Sequence, residues 1–187
     1  MLRLVKRLVV CAPILALVAI VVGLPSVALG DDGARTFSAR FRGIDEVPSV
    51  STDASASLRL QINGSGDTAT IDYTLTFNGL RAPVTQSHIH FGEARTNGAV
   101  VVFLCQEGQA AAPAGTPSCG SANATSGTIT GHLTAANVTA LAAAQGITTG
   151  EMGRLVQAIR DGAAYANVHS GMFPSGEARG QLVRSDR

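Results

Sequence analysis

The sequence predicts a mainly β fold: an antiparallel, Greek-key-like β-sandwich with one or two short helices inserted before the last two strands. Three observations predict it. Apolar and polar residues alternate with a period of two through most of the chain beyond residue 35, the mark of strands buried on one side. Gly-, Asn-, Ser- and Pro-rich turn signals separate those runs. One late stretch changes to helical spacing before alternation returns.

Taken in order, "TFSARFR" puts Phe37, Ala39 and Phe41 on one side. "SASLRLQI" does the same with Ala56, Leu58, Leu60 and Ile62, and "TATIDYTLTF" with Ala69, Ile71, Tyr73, Leu75 and Phe77. "NGSGD" between the second and third runs is a hairpin signal. "SHIHF" carries two histidines one residue apart. "NGAVVVFL" is continuously apolar, which predicts a central strand. "GTITGHL" turns Ile129 and Leu133 inward and His132 outward, as a solvated sheet residue. "LTAANVTALAAAQG" then reads as a helix capped by Thr134 and ending near Gly146. Met152, Leu155, Val156 and Ile159 form a second helical stripe stopped by Gly162. "AYANVHS" and "EARGQLV" return to strand across a turn at "FPSG". The helices are expected to cover an open end or edge of the sheet.

Residues 1–30 stand outside this pattern. "MLRLVKR" is a basic opening, "LVVCAPILALVAIVVGLP" an apolar core and "SVALG" a small-residue cleavage region. That is the layout of a secretory signal peptide, cut after Ala28 or Gly30. The rival is an uncleaved anchor, since the apolar stretch approaches a membrane-spanning length. Cleavage implies a secreted, periplasmic or cell-envelope protein with no membrane contact afterwards. Losing Arg3, Lys6 and Arg7 takes the formal charge from +1 to −2. With no basic stripe left, nucleic acid is excluded as a partner class. The chain has no Trp, and aromatic residues make up 4% of it, which argues against a stacking platform for bases or sugars. Cys105 and Cys119 remain after export. An even count in an exported domain predicts a disulfide between them.

Catalytic signatures are not readable. Gly-x-Ser-x-Gly, phosphate loops, dinucleotide fingerprints and calcium-loop spacing are all missing from the sequence. Ser87–His88 and His169–Ser170 are neighbours that point to opposite faces of a strand, so neither can form a dyad. Asn63, Asn123 and Asn137 each head an Asn-x-Ser/Thr triplet, relevant only in a host that glycosylates such sites.

The histidines carry the open question. His88 and His90 share one strand face, about 7 Å apart along the backbone. Asn167 and His169 share one face of theirs. If the two strands are neighbours, three imidazoles converge, a set that suits copper or zinc. The other reading is structural: His88, His90, Asn167, Glu177 and Arg179 form a polar network whose members satisfy one another. Both readings require the 165–169 segment to lie beside the paired histidines.

Four blocks in order, "FSARFRGIDEVPSV", "SHIHFGEARTNGAVVVFL", "SGTITGHL" and "AYANVHSGMFPSGEARGQL", resemble the CHRD (chordin-type) domain, over roughly residues 35–184. The resemblance implies an extracellular module with no general enzymatic activity. The function expected for this chain is a binding or structural one, through an unidentified protein partner. The cysteine-rich growth-factor-binding modules of chordins are missing, so that activity does not carry over. Ala166, Ser170 and Ala178 depart conservatively from the family pattern. A weaker resemblance is to copper/zinc superoxide dismutase, also an antiparallel sandwich, with His88, His90, His169 and Arg179 in a similar order. It implies an alternative, a copper- or zinc-binding protein. The zinc loop and bridging histidine of that enzyme have no counterpart here.

Overall fold

The computed structural model describes residues 35–107, 112–121 and 123–185. The predicted leader, residues 1–30, lies outside the described residues. Among the described residues nine strands form: β1 Thr36–Arg42, β2 Ser55–Asn63, β3 Thr70–Asn78, β4 Val84–Phe91, β5 Ala99–Gln106, β6 Gly127–Leu133, β7 Ala164–Ser170, β8 Ala178–Gln181 and β9 Val183–Arg184. The α-helix α1, Met152–Arg160, precedes β7. Every strand pairing is antiparallel.

The strands hydrogen-bond as one sheet in the order β5-β4-β7-β8-β1-β2-β3-β6, with β9 also on β1, and the sheet curls until it is nearly closed. The predicted antiparallel, mainly β architecture is therefore present. Its two facing layers are parts of a single curled sheet. The alternating residues face inward as read: Phe37, Phe41, Leu58, Leu60, Ile62, Ile71, Leu75 and Phe77 are all buried. Each such side chain contributes about 1.5–3 kcal/mol by leaving water. Tyr73 on β3 reaches across the interior, where its hydroxyl donates to the Leu104 carbonyl of β5. Burial pushes its phenol pKa up to about 12.

β5 departs from the sequence reading. It ends the ladder and pairs with β4 alone. Its apolar run, Val101–Cys105, is nonetheless fully buried, because the chain after β6 covers it. Thr139 N–H donates to the Val101 carbonyl at 2.9 Å and its hydroxyl donates to the Val100 carbonyl at 3.0 Å. Those bonds also explain why the Ala-rich segment forms two 3₁₀ turns, 135–137 and 140–145, instead of one α-helix. The β-branched Val138–Thr139 pair is drawn to the sheet edge between them. Cover of a strand by another segment and pairing on both sides leave the same apolar signature.

α1 closes one end beside the β2–β3 hairpin, where Gly153 N–H donates to Asp67 Oδ1 at 2.9 Å. Met152, Leu155, Val156 and Ile159 form its buried face, as the stripe predicted. Among the described residues no helix is long and apolar enough to cross a membrane. Cys105, at the end of β5, is disulfide-bonded to Cys119. Both are buried.

Candidate functional site

β7 is buried along its whole length, yet its two faces differ. Ala164, Ala166 and Val168 belong to the main hydrophobic core. Tyr165, Asn167 and His169 face the other side, beneath the segments 43–49, 92–98 and 171–176. β4 lies alongside, with Gln86 opposite His169, His88 opposite Asn167 and His90 opposite Tyr165. Cross-strand partners share a face, so this register brings the three histidines together. His88, His90 and His169 are 3%, 8% and 5% exposed, and one ring nitrogen of each lies within 4.8 Å of the others. Phe103 of β5 packs edge-on against His88 at 4.5 Å, closing that flank.

Each ring's proton is assigned by what its nitrogens face. His169 Nδ1 is 2.9 Å from the Pro174 carbonyl and His90 Nδ1 is 2.9 Å from the Gly98 carbonyl. A carbonyl can only accept, so both Nδ1 atoms carry hydrogen. In a neutral ring that leaves His169 Nε2 bare. His88 Nε2 is 3.2 Å from Gln86 Oε1, and donation there leaves its Nδ1 bare. His88 Nδ1 and His169 Nε2 have no hydrogen-bond partner. His90 Nε2 is 3.0 Å from Asn167 Oδ1, so it is bare only when that amide is turned to present its NH₂ to the ring.

Burial shapes the electrostatics. It pushes His88 down to about 2, aided by its histidine neighbours, and His90 down to about 4 against the pull of the Gly98 and Asn167 hydrogen bonds. It lowers His169 as well, opposed by the Pro174 bond. The cluster is therefore uncharged at neutral pH. Glu46, 6% exposed, sits behind Asn167. Burial raises its carboxyl pKa against the opposing effects of the Val47 N–H, Asn167 and Arg179.

The remaining predicted polar residues divide between two neighbouring sites. The Arg179 guanidinium lies 3.3 Å above the Tyr165 ring, and Tyr165 stacks on His90 at 4.6 Å with nearly parallel planes. Arg179 donates to the carbonyls of Thr96 at 2.6 Å and Glu93 at 3.2 Å. It therefore pins the 92–98 segment over His90 and does not touch the histidine nitrogens. Glu177 accepts from Thr52 Oγ1 at 2.8 Å, Arg81 N–H at 3.0 Å and Ser170 Oγ at 2.5 Å, away from the cluster. A surface cleft of about 730 Å³, bordered by Arg42, Glu46, Arg95 and Arg179, opens beside these residues.

The sequence reading did not assign Glu46, Gln86, Gly98, Pro174 or Gly176 to the site. Glu46 stands in "IDEVPSV", where nothing local assigns it a role. Gln86 had one available signal: it is two residues from His88 on the same strand face. A Cβ on Gly98 would meet the Phe91 carbonyl oxygen at 1.7 Å, and one on Gly176, at φ +125°, would meet Glu46 Oε1 at 2.3 Å. Both glycines are needed for close backbone approach.

A curled antiparallel β-domain with an uncharged histidine cluster under its loops defines the class of protein. The CHRD domain family model matches residues 37–182, and the chain belongs to that family. No curated protein and no solved structure matches the chain.

Proposed function

We propose that this chain is an exported, non-catalytic CHRD module with a binding or structural role in the cell envelope or extracellular space. The observation that carries this reading is how the polar residues of the family blocks are used. Arg179 and Glu177 are buried and hydrogen-bonded to the protein's own loops, holding 92–98 and the strand ends in place. Residues used this way serve as scaffold for the loops they hold. The signal-like layout of residues 1–30 supports export, as does the Cys105–Cys119 bridge, because disulfides persist in oxidising compartments.

The dismutase-like alternative is not favoured. That chemistry needs an open metal position and an arginine to guide an anion. Here the rings are enclosed, and the guanidinium of Arg179 is engaged with Tyr165 and backbone carbonyls.

The test is mass spectrometry of the protein in cell, envelope and medium fractions. A mature N-terminus at residue 29 or 31 outside the cytosol is expected. Intact Met1 in exported protein refutes cleavage, and confinement to the cytosol refutes the whole reading.

A further inference from the structure

We infer that His88, His90 and His169 bind a single copper(I) ion in a closed, three-coordinate site. This goes beyond the module reading and stands independently of it. The first support is convergence: one ring nitrogen from each histidine lies within 4.8 Å of the other two. A central point is then about 2.8 Å from each at most, so each ring moves less than about 1 Å to reach a metal–imidazole bond of about 2.0 Å.

The second support is the proton arrangement. One nitrogen of His88, His90 and His169 is directed at the Gln86 amide, the Gly98 carbonyl and the Pro174 carbonyl respectively, and on His90 the other nitrogen faces Asn167 Oδ1 at 3.0 Å. Metal-binding imidazoles are oriented in this way, with the far N–H anchored and the near lone pair bare. Two of the bare nitrogens are buried with no partner at all. Buried polar atoms in a folded protein are nearly always paired, so two buried orphans on rings of one cluster mark a place for a cation. The third, on His90, gives up one amide contact to Asn167.

The choice of ion follows from charge and coordination. The ligands are three neutral imidazoles, with no carboxylate or thiolate among them. The cost of burying an ion grows with the square of its charge, so a monovalent ion suits this set better than a divalent one. Zinc requires a fourth ligand, and copper(II) prefers tetragonal coordination. The cover of Phe103 and the 92–98 segment encloses a ligand set of three. Copper(I) accepts that number.

The experiment gives the full chain copper(I) as its acetonitrile complex under anaerobic conditions, then challenges it with a copper(I) chelator. One copper retained per chain is expected, with X-ray absorption showing only nitrogen neighbours near 2.0 Å. His88→Gln and His169→Gln should each weaken retention by at least about 100-fold, since losing even an outer-shell partner typically costs 10–100-fold. His132→Gln, at the exposed fourth histidine, should change nothing. No copper retained, unchanged retention in both variants, or preferential uptake of zinc(II) from an equimolar mixture overturns the proposal. If a variant fails to fold, as judged by circular dichroism, the absorption spectrum of the unaltered protein decides. Sulfur neighbours there refute the site.

Discussion

Mild acid should destabilise the metal-free protein steeply, and the histidine cluster sets the size of the effect. In the unfolded chain each imidazole takes up a proton near pH 6.5. In the folded chain His90 resists until about pH 4 and His88 until about 2, because burial opposes the charge. Between these limits the unfolded state binds more protons, so stability falls as pH falls. Each unit costs about 1.4 kcal/mol per histidine. From pH 7 to 5, His88 and His90 together remove about 4 kcal/mol, a large share of a typical 5–15 kcal/mol domain stability. His169 is lowered too and acts in the same direction. Glu46 acts in the opposite sense, because its carboxyl is raised, but it is one group against three. Asp72 and Glu151 are held low by hydrogen bonds from His132 and Thr148, so their contributions are lost only nearer pH 4 and below. Urea unfolding at pH 7 and pH 5, with a chelator present, measures the difference. The His88→Gln variant should lose about 2 kcal/mol of the pH dependence. Equal stability at the two pH values, or greater stability at pH 5, would refute the uncharged buried cluster.

Two further perturbations probe the scaffold. Arg179→Lys keeps the charge but loses the planar stack on Tyr165 and the fork onto Thr96 and Glu93. It should cost about 2 kcal/mol and speed amide hydrogen exchange in 92–98, and unchanged exchange there would show that Arg179 does not hold the segment. Replacing Cys105 and Cys119 by Ser opens a loop whose ends are 14 residues apart. A loss of about 3 kcal/mol is expected from the entropy of a loop that size, and an unaltered denaturation midpoint under oxidising conditions would count against the bridge.

Much of the site was legible because strand periodicity is local. His88 with His90, and Asn167 with His169, share faces by chain geometry alone, and β4 proved to be the neighbour of β7. The divergence of Arg179 and Glu177 was not legible. Their spacing puts them on one face, but Glu177 lies just before β8, where it meets Thr52 and Arg81, while Arg179 turns to the 92–98 segment. Both destinations are far away in sequence. Glu46 was hidden for the same reason, since nothing near it in the chain announces that it lies behind Asn167.

By itself, the sequence determined the antiparallel β class, the inward residues of β1, β2, β3 and β6, the buried stripe of α1 and the pairing of the two cysteines. Each follows from period, turn chemistry or count, which neighbouring residues express without reference to the rest of the chain. Only the tertiary structure decided that β5 is an edge strand under cover, that the layers are one curled sheet, and which nitrogens of His88 and His169 are left without a partner. Those outcomes depend on which distant carbonyl faces which group, and that is set when the sheet closes.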